Sequence, residues 1–170
     1  MEHAAECVMA VAIDVRDQLH RARTPMQALA EFVPAHRRLL LPRPARMRRI
    51  GEVWSLGVFL LDLEARLYVA GSTTRAKPPE RVGYASESAR ERDAMRTAAH
   101  RGGFADGQVV HYDATRIDLR EFDREAGPLR LDGGRAVVRW APLVSLGNCR
   151  PFAEYVQERV ELLLHPPEGA

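Results

Sequence analysis

Cysteine, lysine and long apolar runs are all scarce in this sequence. Its 170 residues include two cysteines, Cys7 and Cys149, too few for the disulfide framework of a small secreted protein. Lys77 is the single lysine among 25 basic residues, an arginine bias typical of GC-rich bacterial coding sequences. Apolar runs stay well below the roughly 18 residues of a membrane span. The short run at residues 8–13 follows an acidic start, unlike an export signal, so we expect a cytoplasmic protein.

Composition and charge are those of an ordinary globular protein. The chain is 46% hydrophobic and 28% charged, and its net charge of +2 creates no global field that would recruit nucleic acid or a membrane. This length predicts one domain, residues 1–170. Within it we expect a helical hairpin arm (1–41), an Arg/Pro connector (42–49), an α+β body (50–165) and a disordered tail (166–170).

The N-terminal segment carries helical periodicity. Apolar residues recur at three- and four-residue steps over residues 4–23, which predicts an amphipathic helix. Thr24 and Pro25 then resemble a helix cap followed by a proline at the first helical position, so we predict a second helix over residues 25–33. Pro34 does not fit a helix interior. Together these signals predict a helical hairpin.

Strand signals follow in pairs. Residues 53–61 and 67–70 are rich in apolar and β-branched side chains, and the short polar break between them predicts a hairpin. Residues 109–113 and 117–119 are short strand candidates. Gly133-Gly134, between two further runs of strand formers, is typical of a hairpin turn.

Two more helices complete the pattern. A capping box at residues 88–91 predicts a helix that ends before Gly102, and the last helix is predicted to begin near Pro151. Strands that come in hairpins, rather than alternating with helices, indicate an α+β fold with a mainly antiparallel sheet. We therefore predict this fold, with an N-terminal helical hairpin and a C-terminal helix.

Arginine is concentrated in one strip. Six arginines lie between residues 37 and 49, and no acidic residue occurs between Glu31 and Glu52. Such a strip suits phosphate groups, and its candidate ligand-binding residues are Arg46, Arg48 and Arg49. No aromatic residues are interleaved for base stacking, so we prefer a solvated connector. Nucleic-acid binding through Arg37–Arg49 is a third hypothesis.

A second candidate site lies at the loop of residues 71–81. Small hydroxyl residues there accompany Arg75 and Lys77, which are candidate ligands for an anion. His111 and Asp113 alternate on a predicted strand and are candidate catalytic residues for proton transfer. This combination predicts, as an alternative function, a small enzyme that acts on a phosphorylated or carboxylated metabolite.

Cys149 is a further catalytic candidate. It precedes the last predicted helix, whose dipole, with Arg150, favours a thiolate. An inert, partly buried thiol explains the same position. The sequence has no ligand spacing typical of a metal site and no cofactor-binding fingerprint, so we predict neither metal nor cofactor.

Our preferred functional hypothesis is a small binding or interaction protein that self-associates, with no assignable reaction. An apolar helical arm on an Arg/Pro connector would pack on another copy. The expected contact residues are Val8, Leu19, Met26 and Leu29. Besides a second copy, an anionic small molecule is a candidate partner, nucleic acid is not favoured, and no membrane is expected.

Overall fold

The computed structural model describes residues 2–38, 41–79, 86–121, 127–141, 145 and 148–166. These ranges contain three helices, α1 (Glu2–Arg21), α2 (Glu87–Arg101) and α3 (Phe152–Leu164). They also contain twelve strands: β1 (Gln27–Val33), β2 (His36–Arg38), β3 (Leu41–Arg43), β4 (Arg46–Leu56), β5 (Phe59–Leu61), β6 (Leu67–Val69), β7 (Ser72–Arg75), β8 (Val109–Tyr112), β9 (Thr115–Arg116), β10 (Leu129–Asp132), β11 (Arg135–Val138) and β12 (Arg150–Pro151).

Residue contacts divide the chain into two compact units. Unit 1 comprises residues 1–25, 54–70 and 115–170, and unit 2 comprises residues 26–53 and 71–114. Most of β4 therefore belongs to unit 2, and its last three residues belong to unit 1.

Unit 2 is a sheet covered by α2. Its strands lie in the order β7-β8-β1-β4, where β1 and β8 are parallel and the other neighbours are antiparallel. The core between sheet and helix consists largely of small side chains: Ala28, Ala30, Met47, Ala76, Ala98, Ala99, Phe104 and Val110. Gly102, directly after α2, lies so close to β4 that a Cβ there would collide with the carbonyl oxygen of Met47. The end of α2 is thereby held against β4.

Unit 1 is built from two sets of strands and two helices. Its strand orders are β4-β5-β6-β9 and β10-β11-β12, and α1 and α3 contact each other and β11. Phe59 is the centre of an aromatic cluster, with its ring 5.6 Å from that of Phe152 and 6.1 Å from that of Tyr155, both edge-on. Edge-on pairs of this spacing add to the stability gained from burying the rings.

The predicted helical hairpin is wrong, because residues 27–33 form strand β1. Ala28, Leu29 and Ala30 are all buried, since β1 lies between β8 and β4 and both of its faces are covered. A short apolar run satisfies a helical and an extended period equally well, and pairing with two neighbouring strands decides between them. The first predicted helix is present as α1.

The residues expected to form an Arg/Pro connector lie instead in β-structure. Strands β2 and β3 pair as a hairpin in which His36 faces Arg43, and β4 then begins at Arg46, opposite Val33 of β1. Arginine and proline content therefore did not indicate an irregular segment here. Residues 39 and 40, between β2 and β3, lie outside the described residues, as do residues 167–170 of the expected tail. The single domain stays a prediction.

The predicted strand over residues 53–61 is in fact two strands. β4 ends at Leu56 and β5 begins at Phe59, so Gly57 and Val58 form a tight turn. Gly57 has a φ of +71°, a backbone conformation that glycine adopts without steric cost. The predicted hairpin across residues 62–66 is confirmed by the pairing of Leu61 with Leu67.

Most other predicted elements are confirmed. The hairpin at Gly133 joins β10 to β11, and α3 begins directly after Pro151. α2 ends at Arg101 as predicted, although its N-cap is Ser86 rather than Ser88. The α+β class and the mainly antiparallel pairing are also confirmed.

Candidate functional site

The arginines of β4 fall into two groups that the sequence does not distinguish. Arg48 forms an ion pair with Glu31, its neighbour across the β1–β4 pair. Arg49 lies 3.4 Å from the carboxylate of Glu52, and its guanidinium carbon lies 4.7 Å from the centre of the Phe104 ring. These two candidate ligand-binding residues are thus held by groups of their own unit.

Arg46 lies in a different environment. It lines a cleft of about 370 Å³, here called the arginine cleft, whose lining residues are His36, Arg43, Pro44, Arg46 and Arg101. Within the described residues, no carboxylate forms an ion pair with Arg43, Arg46 or Arg101. Three permanent positive charges therefore line one concavity, with no neutralising carboxylate in the described part of the chain, and such an arrangement binds anions.

Three local features bring these side chains together. The β2–β3 pairing sets His36 beside Arg43, and Pro44 and Ala45 then lead into β4, which begins with Arg46. Arg101 reaches the cleft because α2 ends against β4, where Gly102 leaves room for the carbonyl of Met47. The site is therefore built by a hairpin, a strand and a helix end of unit 2.

The ring of His36 is hydrogen-bonded to the backbone two residues earlier in the chain. Its Nδ1 lies 3.1 Å from the carbonyl oxygen of Pro34. A carbonyl oxygen only accepts, so Nδ1 carries the proton and donates it. In the neutral ring Nε2 then keeps its lone pair for a ligand.

His111, a predicted catalytic residue, is 5% exposed and engaged on both sides of its ring. Its Nε2 lies 2.5 Å from Oε1 of Gln27, and its Nδ1 lies 3.0 Å from the hydroxyl of Thr73. Burial lowers the pKa of the His111 imidazole below its usual value. The ring is therefore neutral, with Nε2 donating to Gln27 and Nδ1 accepting from Thr73. This arrangement ties β1, β8 and β7 together.

The other candidates around the 71–81 loop do not assemble around that ring. Asp113 is exposed, follows the end of β8 and has a φ of +56°. Arg75 is exposed on β7, and its Nη1 lies 3.4 Å from the carbonyl oxygen of Gly107. Lys77 is half-buried, with its backbone N–H donating to the carbonyl of Arg96. The part of this loop from residue 80 lies outside the described residues.

The two cysteines are free thiols. The Sγ of Cys149 lies 3.6 Å from the carbonyl oxygen of Ser145, and that of exposed Cys7 lies 3.7 Å from Nε2 of His3. Between Cys149 and the first residue of α3 lies β12, which pairs with β11. The thiol is thus not in the first turn of the helix, where a dipole acts most strongly.

The most buried carboxylate among the described residues is a structural group. Asp62, 4% exposed, accepts hydrogen bonds from the backbone N–H groups of Glu64 and Arg66 and from the hydroxyl of Tyr68. Burial, together with the hydrogen bond to Asp62, raises the pKa of Tyr68. Asp62 closes the loop between β5 and β6, as expected of an aspartate in a turn.

A larger groove of about 840 Å³ lies between α1 and α3 in unit 1. Its lining includes the acidic residues Asp14, Glu154, Glu158 and Glu161, and Arg150 pairs with Glu158. Its charge therefore opposes anion binding. In the described part of the chain, no cluster of His, Cys, Asp and Glu could hold a metal ion, and no helix is long and apolar enough to cross a membrane.

Comparison with known proteins adds no relative. The chain matches no family model, and neither the curated proteins nor the solved structures contain a similar one. The geometry of the arginine cleft is therefore the basis for a proposed function.

Sequence reasoning missed Arg101 as a site residue. The signal it offered was indirect: Arg101 directly precedes Gly102, which was predicted to end the helix. The sequence does not indicate that this helix end lies against β4, because that contact joins residues far apart in the chain. Arg43 belonged to the predicted arginine strip and His36 directly precedes that strip, but their side chains were not assigned to a cleft.

Proposed function

We propose that this chain is a binding protein that contacts the phosphate groups of nucleic acid through the arginine cleft and the adjoining β2–β3 hairpin. The observation that carries the proposal is the convergence of Arg43, Arg46 and Arg101 with no carboxylate partner among the described residues. Guanidinium groups present two parallel N–H donors to phosphate oxygens, which makes arginine well suited to this contact. We assign no reaction to the chain.

The shape of the hairpin supports a nucleic-acid partner. β2 and β3 form a two-stranded ribbon, and such a ribbon fits the major groove of a duplex. Leu41 is 65% exposed, and the neighbouring Pro42 is exposed as well. In the major groove, apolar side chains can contact the thymine methyl group while neighbouring arginines contact phosphates.

The net charge of +2 does not argue against this function, although it first suggested that nucleic acid was not favoured. Electrostatic binding depends on the local density of unpaired charge within roughly 10 Å at ordinary salt, rather than on the sum over the chain. Arg48 and Arg49 are neutralised by carboxylates, whereas the arginines of the cleft form no ion pair with any described carboxylate.

The two other functional hypotheses receive less support. Both ring nitrogens of His111 are already engaged, which leaves the proposed enzyme without its proton acceptor. Self-association stays a prediction, but three of its four expected contact residues are in the core: Val8, Leu19 and Leu29 are 1%, 0% and 3% exposed. Charge at these positions would unfold the chain rather than separate copies.

The proposal is tested by fluorescence anisotropy with a labelled duplex at low salt. We expect wild-type binding in the micromolar range and a loss of more than about tenfold in Arg43→Gln/Arg46→Gln, because each lost phosphate contact reduces the counterions released. The matched control is Arg116→Gln/Arg135→Gln, which removes the same charge from two exposed strand residues of unit 1.

Two results would overturn the proposal. One is the absence of wild-type binding at low salt. The other is equal weakening in the two double variants, which would show that only net charge matters. Binding of the wild type to an acidic protein but not to the duplex would point to a different class of partner.

A further inference from the structure

We propose that the arginine cleft is a pocket for a terminal phosphate, so that this protein prefers nucleic-acid strands that end in a phosphomonoester. The inference rests on the proposed nucleic-acid function and specifies which part of the polymer the cleft takes. It adds a specificity that binding through the phosphate backbone alone does not have.

The concave shape of the arginine cleft favours the end of a strand. The cleft is lined from three directions, by His36 of β2, by the residues leading into β4 and by Arg101 at the end of α2. Its volume of about 370 Å³ lies in the range of small-molecule sites. A continuous backbone contacts the arginines at the mouth of a cleft of this size, whereas a strand end can also enter it.

The positive charge of the cleft favours a phosphomonoester over a phosphodiester. A phosphomonoester carries about −1.5 to −2 at neutral pH and offers three terminal oxygens. A phosphodiester inside a strand carries a single charge on two such oxygens. Arg43, Arg46 and Arg101 line one cleft and have no carboxylate partner among the described residues, so the dianion neutralises more of their mutual repulsion.

The orientation of the His36 ring also favours a terminal phosphate. Because Nδ1 donates to the carbonyl of Pro34, Nε2 is the ring atom left for a ligand. The second ionisation of a phosphomonoester lies near pH 6, so its singly charged form is also present near neutral pH. The P–OH group of that form can donate to Nε2 in place of the second charge. An internal phosphodiester has no such proton to donate.

Phosphomonoesters have two sources here: the end of a strand and a free mononucleotide. The hairpin favours the strand, because Arg37, Leu41 and Pro42 are exposed outside the lining of the cleft and would contact nucleotides beyond the terminal one. A mononucleotide is too short to use them. We therefore expect a strand to bind more tightly than the nucleotide alone.

The test measures binding of three otherwise identical labelled strands, with a phosphate at the 5′ end, at the 3′ end or at neither. We expect one phosphorylated strand to bind about tenfold more tightly than the unphosphorylated strand, since one further charge is neutralised. Excess AMP should remove that preference, because it occupies the cleft that the terminal phosphate needs.

Two single variants separate the cleft from the hairpin. Arg101→Gln removes a lining residue and should bring the ratio of the affinities for phosphorylated and unphosphorylated strands to about one. Arg37→Gln, a hairpin arginine outside the lining, should weaken binding of all strands alike and keep the ratio. Circular dichroism checks that both variants fold.

The outcomes distinguish this inference from the function on which it rests. Equal binding of all three strands by the wild type overturns the terminal-phosphate pocket and leaves nucleic-acid binding in place. Binding of AMP as tight as that of a phosphorylated strand overturns the assignment to a strand end. Binding to the duplex but to none of these strands overturns the terminal-phosphate pocket alone, and the absence of binding to the duplex and the strands overturns both proposals.

Discussion

The buried imidazole of His111 lies between two polar side chains from neighbouring strands. Gln27 accepts from Nε2 and the Thr73 hydroxyl donates to Nδ1, so the neutral ring is fully hydrogen-bonded. A proton added to Nδ1 would remove its acceptor function and place a charge in the interior. This explains why a residue type suited to proton transfer serves here to join three strands.

His111 makes the stability of the fold depend on pH. In the folded state the pKa of His111 is lowered below the usual 6.5. As the pH falls through 6.5, the unfolded chain therefore binds a proton that the folded chain excludes. Stability from this group is therefore present above pH 6.5 and decreases below it, by at most about 1.4 kcal/mol per pH unit, until the lower folded pKa is reached. Urea unfolding between pH 8 and pH 5 measures the effect.

The comparison with two glutamine variants isolates the contribution of this histidine. His111→Gln should lose less stability on acidification than the wild type, whereas His20→Gln, at an exposed position of α1, should keep the wild-type dependence. An unchanged pH dependence in His111→Gln would show that the buried ring accepts a proton in the folded state.

At the scale of elements, the β4–β5 turn depends on a glycine for two separate reasons. Gly57 has a positive φ, and a Cβ there would collide with the hydroxyl of Tyr155. The hydroxyl oxygen of Tyr155 lies 3.1 Å from the backbone nitrogen of Val58 and accepts a hydrogen bond from its N–H. The tyrosine is 2% exposed, so it has no room to move aside.

Gly57→Ala is therefore expected to destabilise unit 1 by more than a positive φ alone requires. Gly134, in the turn after β10, also has a positive φ, but no atom lies within 4 Å of a Cβ built there. We expect Gly134→Ala to cost about 1–2 kcal/mol and Gly57→Ala at least about 1 kcal/mol more, measured by urea unfolding. Equal losses would mean that the Tyr155 contact relaxes without cost.

The elements that the sequence predicted correctly are those with local signals. α1 has a long apolar stripe, α2 ends at a glycine, and β10 and β11 flank Gly133-Gly134. β1 was predicted incorrectly because its short apolar run acquires strand geometry from two partners distant in the sequence, β4 and β8. Gly57 was hidden within an apolar run, where a turn has no polar signal.

At the scale of the whole molecule, the proposed function depends on which charges are paired. The sequence located the arginine strip but not its division. Arg48 and Arg49 reach Glu31 and Glu52, whereas Arg46 turns to the cleft with Arg101 of α2. Cross-strand register and the end of a distant helix decide this division, and neither follows from local composition.

The acidic α1–α3 groove of unit 1 and the arginine cleft of unit 2 have opposite charge. Polyanion binding should therefore depend on unit 2 residues and be insensitive to loss of charge in unit 1. Arg116 and Arg135 serve as controls because both belong to unit 1.

The salt dependence of duplex binding tests the phosphate contacts most directly. The slope of log Kobs against log salt concentration reports the number of phosphates neutralised, so Arg43→Gln/Arg46→Gln should reduce its magnitude by about 2, while Arg116→Gln/Arg135→Gln leaves it unchanged. A wild-type slope near zero, or equal slopes in all three proteins, would contradict binding through the arginine cleft.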